Sequence, residues 1–300
     1  MTLAQLRGRS AALLLSLVLG GAARASDPLL YCSSETTNAI SVISPTTNTV
    51  IATIPVGKRP RGMALSPDGR TVYVALGLDD AVGVIDVKRA ALTRSIPANR
   101  DPELVAVSPD GRTLYVSNEE IAHASAIDVA TGRIRFSTPV GVEPEGIAVS
   151  PDGAKLYVTA ETNNSVSVLD AKTGRVLRTI PVGENPRTVA FTPDGRRAYV
   201  TAEAGGNVTI IDAAADTIVG RFPIRDGKTK PVRIAFSPDG RLAYLTEGAA
   251  ATVSVIDLAA RKVIDTIPVG RRPWGIALSP DGRRLYTADG RSNQVSVIDT

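Results

Sequence analysis

Residues 62–76 read GMALSPDGRTVYVAL: an apolar run, the four-residue segment Ser66-Pro67-Asp68-Gly69, and a second apolar run with Tyr73 at its centre. Proline at the second position and glycine at the fourth favour a type I β-turn, because proline presets φ. Both runs are too short for an ordinary helix, and the second is rich in residues that favour strands. This stretch therefore predicts a β-hairpin.

The hairpin recurs along the whole chain. All seven tyrosines fall on one repeat position, with steps of 42, 42, 42, 42, 45 and 42 residues: Tyr31, Tyr73, Tyr115, Tyr157, Tyr199, Tyr244 and Tyr286. The turn occurs six times, beginning at Ser66, Ser108, Ser150, Thr192, Ser237 and Ser279. Each repeat holds four short apolar runs, and four strands in about forty residues is typical of a propeller blade. We predict an all-β fold, a seven-bladed β-propeller of four-stranded antiparallel blades.

The order of strands within a blade follows from two residue types. The run before each turn has a central alanine, which suits the crowded innermost strand: Ala64, Ala106, Ala148, Ala190, Ala235 and Ala277. The fourth run ends in proline, which is tolerated at an outer edge because it has no N–H to donate: Pro55, Pro97, Pro139, Pro181, Pro223 and Pro268.

The predicted strands are two fewer than a complete seven-bladed ring requires. The repeats begin with a second strand (Leu29–Ser33) and stop at a third (Val295–Asp299), so we expect the blades at the two ends of the chain to be incomplete. A propeller manages its edges by closing its ring. We therefore expect the protein to continue past Thr300 by roughly twenty to thirty residues.

The N-terminus resembles an export signal. Arg7 and Arg9 precede an apolar run, Ala11–Gly21, which is followed by the small-x-small pattern Ala23-Arg24-Ala25. We predict a signal peptide over residues 1–25, a propeller domain over 27–300, a periplasmic location and no membrane span after cleavage. A retained anchor is the alternative, although no stop-transfer flank follows.

The composition of the chain limits the partners and cofactors that it is expected to bind. The formal charge of +4 falls to +1 once the three arginines of residues 1–25 are removed, so we expect no nucleic-acid partner. The single cysteine, Cys32, excludes an internal disulfide and is expected to be a small packed residue, with pairing to a partner as the alternative. No Cys-x-x-Cys-His sequence exists to attach a haem. We predict no cofactor and a monomer.

Charged residues gather in the loops that lead into the inner strands. Acids cluster in residues 101–145 and bases dominate elsewhere, so we predict a ligand- or partner-binding mouth at one end of the channel. The alternative is that these charges are solvated and pair with one another. The predicted site residues are Arg59, Arg61, Asp101, Glu103, Glu143, Glu145, Arg187, Lys230, Arg233, Arg272 and Trp274.

Further candidates lie close by. Loops between second and third strands carry carboxylates that suit a hard cation such as calcium, but without a contiguous calcium-loop spacing, so no metal site is predicted: Glu35, Glu119, Glu120, Glu161, Glu203, Glu247 and Asp289. His123 is either an acid–base residue or an ordinary surface histidine, and no catalytic residue is predicted. Trp274 either stacks on a ligand or plugs the channel mouth.

The Tyr-Val-Thr and Val-Ser-Val-Ile-Asp elements resemble the YVTN β-propeller superfamily. Val56–Gly62, Asp101–Leu104, Val140–Gly146, Glu203–Gly206 and Arg272–Gly275, with a three-residue insertion around Asp226–Lys230, occur in the order seen in the PQQ-dependent catabolism-associated β-propeller proteins. The resemblance covers residues 27–300.

This resemblance implies a periplasmic protein whose partners are a quinoprotein dehydrogenase or c-type cytochrome components. We accordingly predict a non-enzymatic binding or scaffold propeller associated with PQQ-dependent alcohol oxidation. The alternatives are a propeller hydrolase of the lactonase type and a ligand-binding propeller similar to those that hold haem d1.

Overall fold

The computed structural model describes residues 28–300 with their side chains and residues 3–7 and 17–20 by their backbone alone. Over these residues the chain forms seven antiparallel sheets of four strands each. First strands of neighbouring sheets lie against one another around a channel. The prediction of an all-β, seven-bladed propeller is confirmed.

Strands are given from the channel outward. Blade 1 comprises Leu17–Gly20, Leu29–Ser34, Ala39–Ser44 and Thr49–Pro55; blade 2, Pro60–Leu65, Thr71–Leu76, Ala81–Asp86 and Ala91–Pro97; blade 3, Pro102–Val107, Thr113–Asn118, His123–Asp128 and Ile134–Pro139; blade 4, Pro144–Val149, Lys155–Ala160, Ser165–Asp170 and Val176–Pro181. Blade 5 comprises Pro186–Phe191, Arg197–Ala202, Asn207–Asp212 and Thr217–Pro223; blade 6, Pro231–Phe236, Leu242–Glu247, Thr252–Asp257 and Lys262–Pro268; blade 7, Pro273–Leu278, Arg284–Asp289, Gln294–Asp299 and Leu3–Arg7. A single 3-10 turn, Gly77–Asp79, joins two strands of blade 2 within the described residues.

The turn that decides the fold has the predicted hydrogen bonds. Gly69 N–H donates to the Ser66 carbonyl at 2.9 Å, which closes a β-turn. The Ser66 hydroxyl donates to Asp68 Oδ1 at 2.6 Å, and that oxygen also accepts the Arg70 N–H at 3.1 Å. The same serine or threonine to aspartate bond recurs in the other five turns. Each inner hairpin is therefore fixed locally.

The apolar core lies between blades rather than inside them. Seven clusters of buried side chains each join two neighbouring blades, so burial holds the ring together. Every repeat tyrosine is 5% exposed or less. Cys32 is buried in the cluster between blades 1 and 7, as expected for a small packed residue, and burial raises the pKa of its thiol.

The expectation of two incomplete blades is wrong in this structure. Leu3–Arg7 pairs antiparallel with Gln294–Asp299 as the outer strand of blade 7. Leu17–Gly20 pairs antiparallel with Leu29–Ser34 as the inner strand of blade 1. The physical reason is that an unpaired strand edge exposes N–H and C=O groups, which an extended segment within reach satisfies.

Export stays a prediction. The cleavage pattern Ala23-Arg24-Ala25 and the expected start of the mature chain lie outside the described residues. Residues 28–300, and the two short strands before them, include no helix with the length and apolar character needed to cross a bilayer.

Candidate functional site

The backbone at the propeller mouth repeats from blade to blade. In blades 2 to 7 the inner strand begins at a proline, and the residue before it has a φ between 46° and 58°. The carbonyl of that residue accepts a hydrogen bond of 2.8–3.0 Å from the backbone N–H that follows the second strand. We call these six positions the rim residues: Arg59, Asp101, Glu143, Asn185, Lys230 and Arg272.

Four rim residues are of types that rarely adopt a positive φ: Arg59, Glu143, Lys230 and Arg272. This conformation crowds Cβ against a carbonyl oxygen and costs roughly 1–2 kcal/mol for an L residue, with asparagine and aspartate the more tolerant exceptions. Strained positions of this kind cluster at functional sites. The mouth therefore holds charged side chains where glycine would be less strained.

Seven side chains of alternating charge form a continuous series of ion pairs across the mouth. We call the series the charge arc: Arg59, Glu103, Arg61, Glu145, Arg187, Glu203 and Arg272. Its nitrogen–oxygen distances are 3.1 Å for Arg59–Glu103, 3.8 Å for Arg61–Glu145, 2.8 Å for Arg187–Glu145, 2.6 Å for Arg187–Glu203 and 3.4 Å for Arg272–Glu203. Arg61 also pairs with Glu103. Six of the predicted site residues thus meet in one network.

The centre of the charge arc is buried. Glu103 and Glu145 are 2% and 6% exposed, and one oxygen of Glu145 faces both Arg61 and Arg187. Removing one partner from a buried pair leaves an uncompensated charge, which is strongly destabilising. The arc is therefore a fixed part of the mouth, unlike a set of independently solvated charges.

The acidic end of the arc surrounds Arg59. Its Nη1 lies 2.9 Å from both oxygens of Asp101, and its Nη2 lies 3.7 Å from Glu119. Oxygens of Asp101, Glu103 and Glu119 lie within 4.8 Å of one another, a donor set that a hard cation prefers. The Arg59 guanidinium already pairs with all three. Burial and the nearby Glu145 charge hold the pKa of Glu103 well above its usual range.

The loop carboxylates considered for calcium divide into separate groups. Several join the mouth through arginines: Glu35, Glu119, Glu161 and Glu203. Asp289 is buried inside blade 7 and accepts the Ser296 hydroxyl at 2.6 Å, while Glu247 pairs with Ser254 inside blade 6. Glu120 pairs with Arg100 on the surface. The seven carboxylates do not share one centre.

Blades 6 and 7 form the opposite, basic side of the mouth. We call Lys230, Arg233 and Arg272 the basic sector. Lys230 is exposed, and within residues 28–300 neither its ammonium nor the Arg233 guanidinium has a hydrogen bond or an ion pair. Burial lowers the pKa of Arg233 although Glu145 and Glu103 lie within electrostatic range. Glu143, on the acidic side, is exposed and accepts the Thr162 hydroxyl.

Trp274 supports the arginines rather than presenting a free ring. It is 7% exposed, and the guanidinium carbons of Arg272 and Arg187 lie 4.5 Å and 5.2 Å from its ring centroid. Such cation–π contacts are worth about 0.5–2 kcal/mol. Stacking on a flat ligand would require the ring to be uncovered, so we assign Trp274 to positioning the end of the charge arc.

The comparisons with known proteins agree with this architecture. The YNCE-like β-propeller family matches residues 10–124 and 109–194, which together make up more than half of the chain. The chain belongs to this family. The family of seven-bladed β-propeller lactonases matches residues 178–300 of the YNCE-like propeller. These matches confirm the prediction of a β-propeller family. They do not show the narrower association with PQQ-dependent catabolism.

A comparison with solved structures finds a chain that matches this one over almost its whole length. The YNCE-like propeller is similar to a chain of Kuenenia stuttgartiensis hydrazine synthase, with 27% sequence identity and a TM-score of 0.83. The alignment covers 91% of this chain and 92% of the other. No curated protein matches the sequence.

The imidazole ring of His123 is hydrogen-bonded to the outer strand of its blade. Its Nδ1 lies 2.8 Å from the Ser137 hydroxyl, which belongs to the outer strand of blade 3. Asn99 donates to the same hydroxyl at 3.3 Å. No contact links His123 to the charge arc within the described residues, and the lactonase match begins C-terminal to it. His123 thus belongs to a flank of the blade.

Proposed function

We propose that this protein is a non-enzymatic binding or scaffold propeller, exported to the periplasm, that uses its mouth to hold a partner of the PQQ-dependent alcohol-oxidation system. The partner class is a quinoprotein dehydrogenase or c-type cytochrome component. The observation that carries the proposal is the bipolar mouth, with rim acids on blades 3 and 4 and the basic sector on blades 6 and 7. Complementary charge steers association and fixes orientation.

The charge arc supports binding over acid–base catalysis. Each of its carboxylates is paired with at least one guanidinium. The two oxygens of Glu103, whose pKa is raised by burial and by Glu145, already face the guanidinium groups of Arg59 and Arg61, so they are not free to take a proton from a substrate. The arc instead gives rigid, pre-organised charges, which reduce the ordering cost of association.

The narrower association rests on resemblance. The ordered motifs at residues 56–62, 101–104, 140–146, 203–206 and 272–275 are similar to those of the PQQ-associated group, and all lie in or beside the mouth.

A lactonase is the second candidate, because residues 178–300 match that family. It predicts hydrolysis of a sugar lactone that is lost when Arg187 or Glu203 is neutralised. The binding proposal predicts no turnover by the wild type.

The test is capture of partners from the periplasm of alcohol-grown cells. Two exposed mouth variants, Lys230→Glu and Glu143→Lys, are compared with Arg241→Glu, an exposed residue after the turn on the opposite face. We expect each mouth variant to weaken capture of a quinoprotein or cytochrome by about 10-fold, and salt to weaken it further. The control should bind like wild type.

Two outcomes oppose the proposal separately. Equal capture by wild type and both mouth variants would remove the mouth from binding. Failure of the wild type to capture any quinoprotein or cytochrome would remove the pathway. N-terminal sequencing of the periplasmic protein tests export, with residue 26 as the expected start. Cleavage there would remove Leu3–Arg7 and Leu17–Gly20, so residues 28–300 alone would supply three strands to blade 1 and three to blade 7.

A further inference from the structure

One repeat position changes from glutamate to glycine at the basic sector. The residue after the second strand is glutamate in blades 1, 3, 4 and 5: Glu35, Glu119, Glu161 and Glu203. Each of these carboxylates pairs with a mouth arginine. Blade 6 has Gly248 at this position, and Gly248 donates its N–H to the Lys230 carbonyl at 2.8 Å, as the glutamates of blades 3 to 5 do in their own blades. The backbone is equivalent, and only the carboxylate is absent.

An arginine points at the place where that side chain would begin. A Cβ built on Gly248 would lie 3.7 Å from Nη1 of Arg272 and 3.2 Å from a methyl of Val232. Blades 2 and 7 also have glycine here, Gly77 and Gly290. A Cβ on Gly77 would lie 2.7 Å from Oδ1 of Asp101, so in blade 2 a carboxylate of the next blade fills that space. At Gly248 the nearest polar side-chain group is a cation.

The surrounding cations have an incomplete set of partners. Among the described side chains Arg272 has one carboxylate partner, Glu203, at 3.4 Å, besides its contact with the Trp274 ring, and Glu203 is also bound by Arg187 at 2.6 Å. Lys230 and Arg233 have no carboxylate partner among the described side chains. A half-buried guanidinium that shares its carboxylate with another arginine favours binding of a further anion.

We propose that the position beside Gly248 is a carboxylate-binding site, in which a carboxylate from outside the chain replaces the missing glutamate and pairs with Arg272, with Lys230 as a further cation. The ligand class is a small organic acid or an acidic side chain of a partner protein. This inference rests on the proposed binding function and names the chemistry that the mouth recognises.

The sharpest variant supplies the missing group. Gly248 has an ordinary backbone conformation, since it is not among the glycines of positive φ, so glutamate is allowed there. Gly248→Glu should fill the site from within, keep or raise the melting temperature and weaken binding of an external carboxylate at least 10-fold. Ala249→Glu is the matched control, because it adds the same charge one residue away at an exposed position.

Isothermal titration of the purified protein tests whether the carboxylate is that of a small organic acid. The probes are acetate and succinate, with ethanol as the uncharged control. We expect saturable binding of a carboxylate and none of ethanol, lost in Gly248→Glu and Arg272→Gln and kept in Ala249→Glu. If Gly248→Glu does not fold, Arg272→Gln decides, with an expected loss of at least 10-fold, and Lys230→Gln should also weaken binding.

Capture of the periplasmic partner tests the other source of the carboxylate, an acidic side chain of the partner protein. Partner binding that Gly248→Glu abolishes and Ala249→Glu retains, without binding of acetate or succinate, assigns the carboxylate to the partner. Equal behaviour of Gly248→Glu and wild type in both experiments overturns the inference. Partner capture that persists in that case leaves the proposed function standing, so the two failures are distinguishable.

Discussion

Arg59 and Asp101 occupy the same repeat position in adjacent blades, 42 residues apart, and Nη1 of the arginine lies 2.9 Å from both carboxylate oxygens. Glu145 and Arg187 are a second such pair, also 42 residues apart, at 2.8 Å. The mouth thus uses the repeat to bring opposite charges together: equivalent positions face each other across the blade boundary. Ion pairs between neighbouring blades follow from which charge each copy of the repeat carries.

Neutralising the centre of the charge arc should destabilise the fold. Glu145→Gln removes the buried carboxylate that Arg61 and Arg187 share. Each arginine keeps another carboxylate, so we expect the free energy of unfolding to fall by about 1–3 kcal/mol. Glu143→Gln is the control, since Glu143 is exposed and should change stability by less than about 0.5 kcal/mol. Urea unfolding at pH 7 measures both. Equal effects would show that the arc adds no stability.

The raised pKa of Glu103 gives stability a defined pH dependence. Burial and Glu145 raise its folded pKa above the unfolded value of about 4.3, so the folded protein holds this proton more tightly. The stabilisation is complete below the unfolded pKa and is lost as pH rises through the folded pKa. The unfolding free energy of wild type minus that of Glu103→Gln should therefore decrease between pH 4.5 and pH 8.

The matched control has the opposite sign. The Ser108 hydroxyl and the Arg112 N–H lower the folded pKa of Asp110, so its contribution is present above the unfolded pKa of about 3.9 and is lost as pH falls through the folded pKa. The difference between wild type and Asp110→Asn should stay constant from pH 4.5 to pH 8. A difference for Glu103→Gln that rises with pH would contradict the assigned shift.

Relieving backbone strain at the rim should stabilise the protein. Lys230 has a φ of 58° and no partner for its ammonium in the described part of the chain, so Lys230→Gly removes strain without removing a contact. We expect a gain of about 0.5–1 kcal/mol after the larger entropy of unfolded glycine is subtracted. Lys228→Gly, at an exposed position without positive φ, should show no gain. A stability loss in Lys230→Gly would refute the strain.

Close approach of inner strands should make Gly146 intolerant of a side chain. A Cβ there would lie 2.7 Å from the Arg187 carbonyl oxygen and 3.0 Å from Thr188 Cα, both backbone atoms of the next blade. Gly146→Ala should cost about 1–3 kcal/mol in thermal or urea unfolding. Gly248→Ala meets only a methyl at 3.2 Å and should be nearly neutral. Similar losses in both would contradict this account.

The sequence predicts those features of the fold that depend on a few adjacent residues. The tyrosine column and the Ser66-Pro67-Asp68-Gly69 turn predict the blades, because strand propensity and turn chemistry are properties of a few adjacent residues. The mouth residues are predicted because the loop that leads into each inner strand is recognisable. Pairing among the mouth charges is one of the two alternatives that the sequence leaves open, and aligning the repeats into columns favours it because Arg61 then stands beside Glu103.

Other features depend on the closed ring. Trp274 is covered by Arg187, which lies two blades away, so no local pattern predicts its burial. Residues 17–20 lie in the apolar run predicted as part of an export signal, and they also supply the inner strand of blade 1. Apolar composition suits both roles, so it does not distinguish them.

Each rim residue is carried by its own blade, directly before the proline that begins the inner strand, and its carbonyl accepts one main-chain hydrogen bond. Neither feature involves the rim side chain. An exchange at one rim position therefore leaves the backbone of the other five intact. Apart from Arg59 and Asp101, whose side chains pair with one another, the rim positions can change the recognition surface one blade at a time. Descendants of one such scaffold can diverge toward different partners by independent steps, with the ring itself as the unchanging part.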